Sequence, residues 1–271
     1  MIKTDFHLHS YHSGDSDTPM EDSIKRAIEL DYTHICFTEH NDFCYPYNHG
    51  EDSELFTLEP ESYYKEYLEL SDKYKSKIKV LFGVELGLQP ICCDLNTEFV
   101  NKYPFDFIIG SSHLCKGQDP YFPEYFENIS EETAYTEYFE SIIENINCYK
   151  DFDIYGHIDY IVRYGPNKNS NYSYIKYKDV IDELLKTVIN NNKGIEINTS
   201  GLKYGLGYTH PHKDIIKRYR ELGGEIISVG SDAHVPEHIG YDFHVAKDIL
   251  EEAGFKYYTI FEKRKPQYLK I

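Results

Sequence analysis

Histidines and carboxylates recur along this 271-residue sequence, at the far ends of its most β-rich runs. In order they are His7-Leu8-His9, Glu39-His40, Glu85, His113, His157, Glu196-Ile197-Asn198 and Asp232-Ala233-His234. His7 and His9 alternate along one extended run, so both imidazoles project to the same side and can grip one ion. Imidazole mixed with carboxylate suits Zn2+, Mn2+ or Fe2+ rather than a thiolate or all-oxygen site. Several carboxylates among so many histidines point to more than one ion, because a carboxylate can bridge. A lone histidine is more often structural than ligating. The joint placement at strand ends is what sets His7, His9, His40, His113, His157 and His234 apart. His34 (inside a strand), His49, and His210 and His212 (flanking Pro211) lack that support, while His238 and His244 follow the last ligand-bearing strand within reach of a substrate.

Elements that could carry these residues are legible as an alternation. Continuous apolar runs such as Val80-Leu81-Phe82 and Phe107-Ile108-Ile109 predict strands at 2–9, 33–40, 78–86, 106–113, 153–159, 194–200 and 225–234, each buried on both faces as in a parallel sheet. Helix signals fall between them. Asp17-Thr18 before Pro19 reads as an N-cap, Pro60 opens a helix to Tyr74, and Ser130 opens another to Tyr149. Stretches 177–191, 211–222 and about 245–253 complete the set. Seven β-then-α units fit a closed barrel or an open doubly wound sheet. The barrel is favoured, because an open sheet gathers its site at one switch point, whereas here nearly every strand end carries a candidate. The long loops 42–59 and 114–129 read as lids. No linker breaks the chain, so 1–271 reads as a single domain.

The opening His-x-His, Thr38-Glu39-His40, Gly83-Val84-Glu85, Ser111-Ser112-His113, Gly156-His157 and Gly230-Ser231-Asp232-Ala233-His234 together resemble the PHP (polymerase and histidinol phosphatase) family, from residue 5 to about 245. Gly156-His157-Ile158-Asp159 followed by Arg163, and Asn198-Thr199-Ser200-Gly201-Leu202, are most similar to its histidinol-phosphate phosphatases. The resemblance implies a distorted (β/α)7 barrel and three divalent ions. It assigns His7, His9, Glu85 and Asp232 to the first ion, Glu85 with His113 and His157 to the second, and Asp15, His40 and His234 to the third. At the loop position two residues compete, Asp15 and His12; if His12 ligates, Asp15 moves behind it.

The resemblance further implies hydrolysis of L-histidinol phosphate in histidine biosynthesis, by a hydroxide shared between two ions that Glu85 bridges. Asp232 and His234 are the candidates to relay a proton to the departing alkoxide. Of five arginines, only Arg163 sits in a loop after a ligand strand, where a guanidinium can fork onto a phosphoryl group. Lys203 is second, Lys116 and Lys168 weaker, and Asn198 and His238 could also meet substrate. Glu39, by alternation, faces away from His40 and reads as support; Glu196 lies deeper than Asn198; Asp159 could orient a ligand or the substrate amine.

Composition narrows the alternatives. With 28 Lys+Arg against 46 Asp+Glu the net charge is −18, which opposes nucleic-acid or anionic-membrane partners and suits a protein that gathers cations. No apolar run is long enough for a membrane span, and the N-terminus lacks a signal-peptide core. Six cysteines without CxxC spacing, two of them adjacent, read as reduced thiols in the cytoplasm rather than a disulfide framework. Two other functions stay open: a PHP phosphoesterase acting on nucleotides or phosphotyrosine, and a non-catalytic metal-binding domain. The oligomeric state is not legible.

Overall fold

The computed structural model describes residues 1–46 and 54–271; His49 lies outside them. Seven parallel strands form one sheet in sequence order: β1 Thr4–Leu8, β2 His34–Asn41, β3 Lys79–Gly87, β4 Phe107–Ser111, β5 Ile154–Tyr155, β6 Gly194–Asn198 and β7 Ile227–Gly230. The sheet nearly closes into a barrel. Just past the strand ends, His9 N donates to Ala233 O at 2.9 Å and Ala233 N to His7 O at 3.3 Å, joining the first strand to the segment after the last. Asp5 reinforces the seam, accepting from Ser231 N (3.0 Å), Ser231 Oγ (2.5 Å) and Gly240 N (2.9 Å). Burial raises the Asp5 carboxyl to about 6 despite those donors.

The strands are buried on both faces, as their unbroken apolar runs require. Around them lie α1 Met20–Glu29, α2 Pro60–Tyr74, α3 Cys93–Val100, α4 Glu131–Cys148, α5 Lys178–Asn190, the one-turn α6 Ser200–Lys203, α7 Lys213–Glu221 and α8 Phe243–Glu252. The helix α1 buries Met20, Ile24 and Ala27, spaced four and three apart on one face. Among the described residues no helix is long and apolar enough to cross a membrane.

Three differences from the sequence expectations have physical causes. The fifth strand shrinks to two residues, so His157 sits in the following turn. Thr18 does not cap α1: its hydroxyl donates to His234 O at 2.7 Å, as Ser16 Oγ does at 2.9 Å, so this loop braces the cluster instead. The chain ends in an antiparallel hairpin, β8 Tyr257–Glu262 and β9 Lys265–Lys270, that the sequence did not announce. Its two-residue turn, Lys263-Arg264, has φ of 51° and 62°, values that Asn-Gly usually supplies. Arg264 offsets that strain by binding Asp153 (2.6 Å) and Asp151 (2.9 Å), plugging the barrel end opposite the histidines.

Candidate metal centre

Glu85, at the end of β3, is wholly buried and ringed by five imidazoles. His7 Nε2 (3.2 Å), His9 Nε2 (3.6 Å) and His40 Nδ1 (3.0 Å) face its Oε2; His113 Nε2 (3.3 Å) and His157 Nε2 (2.9 Å) face its Oε1. Parallel register sets part of this, pairing His40 on β2 directly with Glu85. A β-bulge between Asp5 and Leu8 sets another part, leaving the His7 and His9 rings 5.1 Å apart on the same side. Asp232 Oδ1 closes the first group, 3.5 Å from His9 Nε2 and 3.9 Å from His7 Nε2. Asp15 Oδ2 lies 3.2 Å from His234 Nε2 and 3.6 Å from His40 Nε2. His12 points elsewhere, onto Glu66 of α2 at 2.8 Å.

Donor spacing and chemistry fit metal ions. Ligands held tetrahedrally about 2.1 Å from one ion lie roughly 3–3.5 Å from each other, which is the spacing found here. His7 Nε2, His9 Nε2, His40 Nδ1, His234 Nε2 and Glu85 Oε2 are buried without a hydrogen-bond partner, an arrangement that is costly unless something binds them. Among the described residues five ligand trios overlap on shared residues: His7-His9-Glu85, His7-His157-Asp232, Glu85-His113-His157, His9-His40-His234 and His40-Asp42-His113.

Behind these donors stands a set of orienting groups. His7 Nδ1 meets Glu196 Oε1 at 2.7 Å, and Glu196 Oε2 also accepts from His157 N at 3.2 Å. His113 Nδ1 meets Asp42 at 2.8 Å. His9 Nδ1 meets Ser13 Oγ at 3.0 Å, and Ser13 in turn donates to Glu39 at 2.6 Å. Each contact fixes one ring nitrogen as the donor and frees the other for an ion. Space matters too. A Cβ on Gly230 would collide with His7 and Glu196, and one on Gly87 with Asp42.

Electrostatics divide these residues into two sets. Burial alone would raise Glu85, but His7, His113 and His40 hold its carboxyl well below the usual range. Asp232 is likewise depressed against its burial by His7, His9 and His234. Burial, then the neighbouring His40 and His234, hold His9 well below the ordinary imidazole value. Against their burial, Glu196 raises His7, Asp15 raises His40 and Asp42 raises His113, so an ion binding there displaces protons, whereas Glu85, Asp232 and His9 already stand in the states that ligation needs.

In front of the cluster opens a cleft of about 790 Å³, lined by Asp15, His40, His113, His157, Asp232 and His234 and by Arg163 among aromatic rings. Arg163 is half-buried. Its guanidinium lies 4.1 Å over the Tyr204 ring and 5.2 Å over Tyr160, and Nη2 donates to Ser200 Oγ at 2.6 Å. The other four arginines all stand in ion pairs: Arg26 with Glu29, Arg218 with Asp182, Arg220 with Glu225 and Arg264 with Asp153. Arg163 has no carboxylate at ion-pair distance among the described residues, and its Nε is buried without a partner.

Of the other expected substrate contacts, Asn198, Lys203 and His238 are not among the residues that line the cleft. Asn198 is fully buried, its amide nitrogen donating to Glu196 (3.1 Å) and Asp232 (3.4 Å) and its oxygen accepting from Ser200 N, so it braces ligands and does not reach substrate. Alternation put Asn198 on the side of Glu196, and that side is the barrel interior. Lys203 turns its ammonium onto Asp232 O at 3.3 Å, and His238 packs beside Tyr241; neither lines the cleft. Lys168 does line it, and Lys116 pairs with Glu137. Asp159 orients no ligand: it meets His210 Nδ1 at 2.5 Å and His212 N at 2.9 Å. Sequence reasoning missed Asp42, Asp119 and the tyrosines 45, 121, 160, 164 and 204 at the cleft. The 27 tyrosines had been the available signal.

Comparison with known proteins agrees with this geometry. The PHP domain profile matches residues 5–200. A probable histidinol-phosphatase of Clostridium acetobutylicum is 36% identical over 264 residues, covering 97% of this chain and 98% of its own length. The histidinol-phosphatase of Lactococcus lactis subsp. lactis is 30% identical, covering 98% and 96%. The crystal structure of histidinol phosphate phosphatase from that organism, complexed with zinc, L-histidinol and phosphate, matches with a TM-score of 0.88 at 29% identity, covering 98% of this chain and 99% of that one. A profile match over most of the length, with full-length relatives at this identity, establishes that the chain belongs to the PHP domain family.

Proposed function

We propose that this chain is a metal-dependent phosphomonoesterase that hydrolyses L-histidinol phosphate to L-histidinol and phosphate, a step of histidine biosynthesis, in the cytoplasm. The observation that carries the reading is Arg163: a guanidinium with no carboxylate at ion-pair distance among the described residues, held by Ser200 and the face of Tyr204 and lining the same cleft as the histidine–carboxylate cluster. A phosphoryl group supplies the missing charge, and the fork geometry of Arg suits two of its oxygens.

His7, His9, Glu85 and Asp232 would hold one ion, Glu85 with His113 and His157 a second, and Asp15, His40 and His234 a third. When bound, such ions lower the pKa of water toward neutrality and offset charge on phosphoryl oxygens. Arg163 binds and orients the phosphoryl group. His234 stands at the cleft with Nδ1 toward Asp232 O at 3.1 Å, which leaves Nε2 for the ion it would share with Asp15 and His40. The tyrosines around Arg163 reduce water at the reacting end. Residues 1–271 act as one domain in this reading, because Asp232 and His234 lie beyond the matched 5–200 segment and complete the cluster. Nucleic acid and membrane have no role in it.

The test is phosphate release from L-histidinol phosphate by protein stripped of metal and reloaded separately with Zn2+, Mn2+ or Fe2+. Release restored by at least one ion is expected; inactivity with all three overturns the assignment. A nucleotide or phosphotyrosine giving a higher kcat/KM would reassign the substrate.

A further inference from the structure

Cys92 and Cys93, adjacent in sequence, take no part in the site, yet each meets a second thiol. Cys92 ends the short 3-10 turn Pro90–Cys92 and is buried; its Sγ donates to Phe43 O at 3.2 Å, which sets it against the turn that carries Cys44. Gln89 Nε2 binds the same carbonyl at 3.3 Å, so the 43–44 turn is fastened to this segment at two points. Cys93, opening α3, lies likewise beside Cys148 at the end of α4. Among the described residues no three of these thiols converge at ligand distance, which leaves pairs rather than a thiolate metal site.

The first pair touches the active site through two residues of backbone. Asp42, whose carboxylate orients His113 at 2.8 Å, precedes Cys44 by two positions, and Tyr45, at the cleft wall, follows it. Cys44 is exposed and holds φ at 61°, while Cys92 is sealed; burial pushes the Cys92 thiol up to about 12. An oxidant therefore meets Cys44 first.

We propose that Cys44 and Cys92 are an oxidisable pair whose disulfide draws the Asp42 turn away from His113 and lowers activity. Cys44 sulfur attacks a hydroperoxide oxygen, the O–O bond breaks, and a sulfenic acid forms as an alcohol or water leaves. Cys92 sulfur then attacks the sulfenic sulfur; the S–S bond forms, the S–O bond breaks, and hydroxide departs with the Cys92 proton as water. Shortening a thiol contact to a bond of about 2.05 Å requires one partner to move, and the exposed turn is the one free to do so.

The test uses the full chain loaded with Zn2+, which has no redox chemistry of its own, treated with hydrogen peroxide and quenched. Peptide mass analysis without reductant should find residues 44 and 92 joined, with the loss of two hydrogens. Phosphate release should fall about 10-fold or more, the size seen when a group orienting a metal-bound histidine is displaced, and a dithiol should restore it. Cys44→Ser should stay active, form no such peptide and resist peroxide. Absence of the 44–92 peptide, a joined peptide with unchanged kcat and KM, or equal inactivation of Cys44→Ser would overturn the proposal. The peptide readout needs no substrate, so it stands apart from the assignment of histidinol phosphate.

Discussion

Arg163→Met separates binding of the phosphoryl group from everything else the structure does. Methionine keeps length and apolar packing against Tyr204 but removes the charge and the fork. If the guanidinium contacts strengthen as charge develops on the phosphoryl oxygens, their loss lowers kcat/KM by about 10²–10³, or roughly 2.7–4 kcal/mol. Stability should respond differently. The structure holds this half-buried cation without a carboxylate, which is unfavourable, offset by stacking on Tyr204 of about 1 kcal/mol and by the hydrogen bond to Ser200 of about 1.5 kcal/mol. These terms nearly cancel, so Tm should stay within about 2 °C. Arg163→Lys should fall between wild type and Met, because a point charge survives without the fork. Inhibition by inorganic phosphate should weaken in parallel. The assay is steady-state phosphate release with metal content and Tm measured on the same preparation. Near-normal kinetics in Arg163→Met, or a kinetic loss accompanied by several degrees of Tm and by metal loss, would refute the reasoning and give Arg163 a structural role.

Other substitutions probe the remaining parts. Asp15→Ala should lower metal occupancy and phosphate affinity while His12→Ala changes little, since only Asp15 reaches His40 and His234; the reverse ranking in metal analysis would move the third ion. Glu196→Gln should weaken metal binding about 10–100-fold by loosening His7, read by competition with a chelator; unchanged affinity would make Glu196 a filler of the core. Asp182 accepts from Arg218, Lys178 and Tyr174, and Arg218 first among these holds its carboxyl below the ordinary range. Its contribution is therefore present above pH ~4 and lost as pH falls toward the folded-state value, so Asp182→Asn should lower Tm at pH 7 with a deficit that shrinks in acid. A deficit constant from pH 7 to pH 3 would exclude the ion pair as its source.

The candidate ligands were legible because a barrel brings strand ends together, so residue type and strand position together limit what His7, Glu85 or Asp232 can do. The groups that orient them were not. Asp42 and Ser13 lie in loops, where spacing carries no direction, and each acts through a contact made only in the folded chain, with His113 and with His9. Lys203 and His238 show that closeness in sequence to a ligand strand does not decide which way a side chain turns: one meets Asp232 O and the other Tyr241. The closing hairpin was hidden for a local reason. Lys263-Arg264 lacks the Asn-Gly chemistry that marks such turns, and its stabilising partners Asp151 and Asp153 are more than a hundred residues away.

An acidic chain that takes a phosphate ester must reverse its field at one place. The net charge of −18 repels a phosphate dianion at long range, and Asp15, Glu85 and Asp232 add three negative charges at the site itself. Arg163 offsets one of them, and without ions the carboxylates hold protons on His7, His40 and His113 against their burial, so bound protons stand where the ions would bring charge. Three divalent ions would bring six positive charges and make the site cationic, while the acidic surface that repels the ester would help to recruit them. Metal and phosphate binding are thus coupled. In a titration of metal-free protein, inorganic phosphate should bind more weakly than to the Zn2+-loaded form, and added salt should narrow the gap by screening. Equal phosphate affinity with and without metal would mean that Arg163 carries the anion site by itself.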